Sequence, residues 1–276
     1  MIRIPSLCIL ASTIALAQQP TEPAPKPAVQ SAAKTVYLTF DDGPEIGTAD
    51  VLDTLKAHHA PACFFLTGSN AQLAGGTEAQ TLLVKREIAE GHTLGNHCYI
   101  HSPMRKREYV AKYGDLTTEG QRAAFRNNFT RNMEHFRASL SLPDFNFLFA
   151  RLPGDGSTFP ALVKETESLG LRHFHWQWEF ATNRQFSWLH QHDWQGIIGV
   201  DSEEPGLPSN NAVILFHDRH WRGENKQRLD ALLTLLEKRG YIFGKLADWK
   251  PTPPKPASAT KAQPKPKTPE TSTAPQ

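Results

Sequence analysis

Short runs of β-branched and aromatic residues recur along the chain, each followed by a longer stretch in which apolar positions return every three or four residues. The short runs predict strands at VYLTF (36–40), ACFFLT (62–67), HTLGN (92–96), FLFAR (147–151), HFHWQW (173–178), AVILF (212–216) and YIFG (241–244). The longer stretches predict helices around 47–58, 77–90, 117–140, 158–169, 184–194 and 224–239. Alternation of this kind is the pattern of βα units around a parallel sheet. About seven strands fit an α/β fold of the distorted (β/α) barrel type, TIM-barrel-like, and an open doubly wound sheet would give the same pattern.

The alternation stops at both ends. Residues 18–33 and 251–276 are rich in Pro, Ala, Thr and Lys, with almost no large apolar side chains, and read as a flexible linker and a disordered tail around a folded domain of residues 34–250. Residues 1–17 combine an early Arg, a short apolar run and small residues at Ala15 and Ala17, which predicts a signal peptide cleaved after Ala17 and export to a periplasm or the exterior. A membrane anchor needs about 20 apolar residues. This run is shorter and is broken by Pro5, Ser6, Ser12 and Thr13, and no other stretch is apolar enough, so no transmembrane segment is expected in the mature chain.

Composition narrows the function further. At 276 residues, 39% hydrophobic and 21% charged, the chain can bury one sizeable core. A net charge of +2, without a basic stripe, argues against nucleic acid. With Cys8 in the leader, Cys63 and Cys98 remain, as one disulfide or as two buried thiols. They do not form a zinc-finger set, so any metal must be held by His and carboxylate.

Polar residues gather where predicted strands end. The first ends in Thr39-Phe40-Asp41-Asp42-Gly43-Pro44, the third runs into His97 and His101, the fourth into Arg151 and the sixth into His217-Asp218. In a barrel these ends share one face, the one that carries active sites. Adjacent carboxylates after an apolar strand are costly to hold unless a cation offsets them or one is protonated, although Asp-Asp-Gly-Pro is also good turn chemistry. His97 and His101, four apart, can present two imidazoles to one ion. Two His and one Asp leave open positions on Zn²⁺, or on Co²⁺, Mn²⁺ or Ni²⁺, as a catalytic site requires. The second Asp is then available as a base, and His217 can protonate a leaving nitrogen.

These motifs resemble those of the polysaccharide deacetylases, family four of the carbohydrate esterases. TFDDGP (39–44) is similar to that family's first motif, HCYIHSP (97–103) to its second and LFHD (215–218) to its last, within a resemblance covering about residues 34–249. It implies Asp41 as general base, Asp42 with His97 and His101 as metal ligands, and His217 as general acid. It further implies Arg151 as the residue holding the base, Leu215 as the lining for an acetyl methyl group, and a backbone N–H near Gly154 facing the substrate. A monomer, zinc, and a peptidoglycan- or chitin-like N-acetylglucosamine polymer follow from the same likeness. O-deacetylation of a glycan such as acetylxylan uses the same machinery.

Two motifs depart from the family pattern. Arg151-Leu152-Pro153-Gly154-Asp155-Gly156 lacks the usual aromatic residue, and Trp176-Gln177-Trp178-Glu179-Phe180 offers Glu179 where Asp is usual. Glu179 and Asp218 are the candidates for orienting the base or the acid. The departures raise the alternative of a carbohydrate-binding protein that has lost turnover. Trp176, Trp178, Trp188, Trp194 and Trp221 are candidate sugar-stacking surfaces, Trp176 foremost. A helical segment over about 105–140, longer than usual, either covers one side of the groove or simply packs.

Overall fold

A computed structural model describes residues 33–69, 76–101, 106–179 and 207–251. The leader, nearly all of the linker and tail, the helix expected at 184–194, Trp188 and Trp194 lie outside the described residues.

The strands are β1 (Lys34–Asp41), β2 (Ala62–Leu66), β3 (Thr93–Asn96), β4 (Phe149–Ala150), β5 (Arg172–His173), β6 (Trp178–Glu179), β7 (Ala212–His217) and β8 (Tyr241–Phe243). They pair in the order β5-β4-β3-β2-β1-β7-β6, every pairing parallel, with β8 beside the first residues of β1. The helices are α1 (Thr48–Ala57), α2 (Gly76–Ala89), α3 (Lys106–Tyr113), α4 (Glu119–Leu140), α5 (Pro160–Glu167) and α6 (Glu224–Lys238).

Side chains on β1 alternate between two environments, as the period of a strand demands. Val36, Leu38 and Phe40 join the larger core, which includes Val51, Leu52, Leu55, Leu229, Leu232 and Leu236 from α1 and α6. Tyr37 faces the other way, in a smaller cluster with Cys63, Phe65, Phe149, Phe174, Val213 and Leu246. Thr39 and Asp41 share the parity of Tyr37, which puts both on the inner side of the sheet. A strand buried on both faces is what the nearly continuous apolar run of β1 specifies.

The run at 173–178 forms two strands rather than the single one expected. Its first part, β5, pairs with β4 at one end of the sheet, and its last part, β6, pairs with β7 at the other. Phe174 N donates to Ala150 O (2.9 Å), while Gln177 N donates to Val213 O (3.0 Å). Three Cα steps of about 3.8 Å separate these residues, so the two ends of the sheet stand no more than about 11 Å apart across the link. The sheet is thus curled into a barrel-like wall, open where this link crosses.

The segment at 105–140 is two helices. Gly114 (φ 73°) and Leu116 (φ 58°) take left-handed backbone between them, and Thr118 restarts the helix with a capping box to Gln121. Cys63 and Cys98 are both free and buried, which settles their pairing in favour of two thiols.

Candidate active site

The register of β1 assembles the site. Asp41, its last residue, lies opposite Phe65 on one side and His217 on the other. Successive residues of a strand point to opposite faces, but Asp42 leaves β1 with φ 73°. Asp is among the residues that best tolerate this conformation. The turn lets both carboxylates reach one imidazole: Asp41 Oδ2 is 3.7 Å and Asp42 Oδ1 3.4 Å from His97 Nε2. His101 Nε2 is 3.2 Å from the same Asp42 Oδ1.

The donor atoms of Asp42, His97 and His101 lie within 4.8 Å of one another. The chemistry of the set fits a divalent cation. His97 Nδ1 lies 2.8 Å from Arg151 O, and since a carbonyl only accepts, Nδ1 carries a proton and Nε2, turned to Asp42, is the nitrogen that offers its lone pair to a cation once its own proton leaves. Burial pushes His101 down to about 4, with His97 adding to the effect, so its imidazole is a neutral donor. Burial alone would raise Asp42, but the hydrogen bond and charge of His97, with His101 and His217, hold it well below the ordinary carboxylate range. At His97 burial opposes charge, and Asp41 and Asp42 outweigh it, raising the imidazole above its usual value. A cation arriving there displaces that proton.

Buried amides hold the histidine loop in place. Asn132 Nδ2 donates to Leu66 O (2.8 Å) and to Asn96 Oδ1 (2.9 Å), which also accepts from Cys98 N (3.0 Å). Asn128 bonds both backbone groups of Ile100, at 2.9 and 3.0 Å. Thus α4 both packs on the sheet and fixes the loop that carries His97 and His101. Asn132 is completely buried, and Asn132→Leu is expected to lower stability by about 1–3 kcal/mol. A urea midpoint that does not fall would refute the bracing role.

Arg151 is fully buried beneath the aspartates. Its Nη1 donates to Asp41 Oδ1 (2.8 Å) and Thr39 Oγ1 (2.7 Å), its Nε to Phe174 O (3.3 Å), and its guanidinium lies 4.3 Å from the centre of the Phe65 ring. Oδ1 of Asp41 is therefore occupied, and Oδ2 is the oxygen turned toward the histidines. His217 Nε2 stands 3.9 Å from Asp42 Oδ2. Burial lowers the basicity of His217, and Asp42 and Asp41 oppose the shift.

The remaining expected residues divide. Leu215 is buried on β7, in register with Thr39 on one side and Glu179 on the other. Gly154 is exposed at the start of a short 3₁₀ turn, Gly154–Thr158. Trp176 is partly buried over Arg151, 5.6 Å from ring centre to guanidinium carbon. Trp178 is partly buried against the larger core, and Trp221 is fully buried 5.7 Å from the Phe216 ring, which corrects its expected place on a sugar-binding surface.

Glu179 is raised by burial and by Asp41, with Trp176 and Arg151 acting against the rise. The field it feels comes from Asp41 and Arg151. Asp218, expected beside the base or the acid, accepts a hydrogen bond on its carboxylate from Thr48 Oγ1 at the start of α1, and burial raises it well above the ordinary range. A side-chain carbon at Gly47 would stand 1.8 Å from Asp218 O, so glycine is needed where these two loops touch. His217 Nδ1 has no hydrogen-bond partner among the described residues.

Two charged residues go unrecognised in the sequence. Arg219 Nη1 donates to Asp42 Oδ2 (2.8 Å), and the same nitrogen is 3.6 Å from Glu45 Oε2. Arg219 N donates to Glu45 Oε1 (3.0 Å). Their only sequence signal is proximity to Asp42 and His217, because a charge in a turn ordinarily reads as solvated.

Comparison with known proteins gives concordant matches. A family profile described as Polysaccharide deacetylase matches residues 28–149. The peptidoglycan-N-acetylmuramic acid deacetylase PdaA of Bacillus subtilis is 31% identical over 221 residues, covering 78% of this chain and 71% of that protein. The peptidoglycan-N-acetylglucosamine deacetylase PgdA of Listeria monocytogenes is 31% identical over 212 residues, which cover 76% of this chain. This chain spans 37% of the length of that relative. The solved structure of the polysaccharide deacetylase Bc1974 from Bacillus cereus matches with a TM-score of 0.54 and 25% identity, over 80% of this chain and 95% of that one. The profile's span contains Asp41, Asp42, His97 and His101 and stops short of Arg151 and His217.

Proposed function

Because the chain belongs to the polysaccharide deacetylase family, carbohydrate esterase family 4, we propose that it hydrolyses acetyl groups from an N-acetylated glycan in a metal-dependent reaction. The substrate is an N-acetylglucosamine polymer of the peptidoglycan or chitin type, and the native ion is Zn²⁺. One observation carries this reading: a carboxylate outside the metal-binding trio, Asp41, is clamped by Arg151 on one oxygen and points the other at the cluster, 3.7 Å from His97 Nε2.

When bound, a divalent cation polarises the acetyl carbonyl and acidifies the attacking water. Asp41 Oδ2 takes the proton of that water, and Arg151 holds the carboxylate correctly turned. His217, at the end of the neighbouring strand, delivers a proton to the departing amine nitrogen. Leu215 offers an apolar wall to the acetyl methyl group, the backbone around Gly154 an N–H for the developing oxyanion, and Trp176 a flat face for a sugar ring. The names of the peptidoglycan-acting relatives support the polymer class. Residues 1–17 act as an export signal, and the enzyme works as a monomer outside the cytoplasm, where such polymers lie.

The test is acetate release by the full chain from chitooligosaccharide, peptidoglycan and acetylxylan, each with chelator and then with Zn²⁺ restored. Release from an amide substrate that chelator abolishes and Zn²⁺ recovers is the expected result. Release from acetylxylan alone would transfer the reading to an esterase, and no release by a metal-loaded protein would leave a glycan-binding role.

A further inference from the structure

Among the described residues, the conspicuous charges without a part in this mechanism are Arg219 and Glu45. Arg219 stands just past His217 and is held from three directions: its backbone N–H and its guanidinium both meet Glu45, and the guanidinium reaches on to Asp42. Glu45 has a side chain only 1% exposed, so this is an anchored arginine rather than a wandering surface one. The backbone contact between Gly47 and Asp218 fastens the same two loops together.

The consequence falls on the two oxygens of Asp42. Oδ2 is bound to Arg219 at 2.8 Å, whereas Oδ1 faces His97 and His101 at 3.4 and 3.2 Å. We infer that Arg219, seated on Glu45, is a positioning residue that makes Asp42 a one-oxygen ligand and keeps a positive charge beside the metal site. The inference rests on the reading that Asp42, His97 and His101 bind a divalent cation.

Two effects act in the same direction. A guanidinium beside the ligand repels an incoming dication, and its hold on Oδ2 withholds the second oxygen from the ion. Arg219 therefore limits metal affinity and keeps the ion short of negative charge, as a Lewis acid requires. A single nitrogen, Nη1, meets both carboxylates, so the ammonium of a lysine can bring a similar charge to the same place.

The experiment measures Zn²⁺ affinity of the full chain by competition with a chromophoric chelator, and records the visible absorption of the Co²⁺ form. Arg219→Leu is expected to bind Zn²⁺ about tenfold more tightly, because a like charge beside the ion is removed, against the roughly 10–100-fold weakening usual when a residue behind a metal ligand is lost, and to show an altered Co²⁺ spectrum. Arg219→Lys is expected to stay near the wild type in both. Glu45→Gln strips the negative seat from the arginine while leaving it on Asp42, and is expected to weaken Zn²⁺ binding severalfold. Opposite signs at positions 219 and 45 cannot arise from general unfolding. If Arg219→Leu binds Zn²⁺ no more tightly than wild type and its Co²⁺ spectrum is unchanged, the positioning role is wrong and the metal site stands. If wild type binds no Zn²⁺, the metal reading falls and takes this inference with it.

Discussion

Asp41→Asn is expected to slow acetate release by about 10²–10⁴-fold, the usual worth of a positioned general base, with the metal content unchanged. The amide keeps the shape of the side chain but cannot accept a proton from water. Asp42, His97 and His101 are untouched, so the loss should appear in kcat and not in metal analysis. A second effect follows from Arg151. With 0% of its side chain exposed and its salt bridge to Asp41 at 2.8 Å lost, the guanidinium becomes a buried charge without a counter-ion. Breaking such a pair from one side costs about 3–5 kcal/mol. Thr39 Oγ1 and Phe174 O still accept from the guanidinium and will reduce that figure. Asp41→Asn/Arg151→Met should recover stability without recovering turnover. Turnover within tenfold of wild type in metal-loaded Asp41→Asn would assign the base to another residue.

The second large effect is a gain. Glu87, on α2, is completely buried, and neither carboxyl oxygen has a hydrogen-bond partner among the described residues. Burial, with Asp218 adding to it, raises Glu87 well above its ordinary value of 4.5. A carboxyl raised in this way contributes its stability in full below the unfolded-state value and loses it as pH climbs through the folded-state value. Glu87→Met removes both the unsatisfied group and this pH dependence. The variant is expected to be about 1–3 kcal/mol more stable at neutral pH, the cost of an unpartnered polar group in a protein interior. The gain should be larger at pH 8 than at pH 5. Urea midpoints at the two pH values decide the matter: an equal gain at both, or a loss, would mean that Glu87 is partnered in solution.

The sequence exposed the frame because apolar burial has a period. Strands buried on both faces, such as β1 and β7, show as unbroken apolar runs, and α4 shows in the helical periodicity over about 117–140. The link at 173–178 was illegible for the same reason. His, Trp and Phe suit strand pairing throughout, and only the tertiary structure reveals that Phe174 bonds to β4 while Gln177 bonds to β7. In the site, Asp41, Asp42, His97 and His101 were visible because carboxylates and imidazoles after apolar strands demand an explanation. Arg219 and Glu45 were not, since their meaning depends on a contact across 174 positions. Sequence adjacency to His217 says nothing of the direction of Asp218, whose carboxyl meets Thr48.

The central place of β1 has a consequence for how the protein is made. Its pairing with β7 joins residues far apart in the chain: Thr39 Oγ1 donates to Ile214 O across 175 positions. At synthesis rates of about 5–20 residues per second, roughly 10–35 s pass between the emergence of the two strands. Through that interval β1 can pair with β2 on one side while its other edge, Val-Tyr-Leu-Thr-Phe, stands open as a template for any extended segment nearby. A chain cut short before Ala212 never closes that edge. Nascent or truncated chains should therefore need a holding partner, and fragments ending near residue 179 should collect in aggregates even though they carry Asp42, His97 and His101.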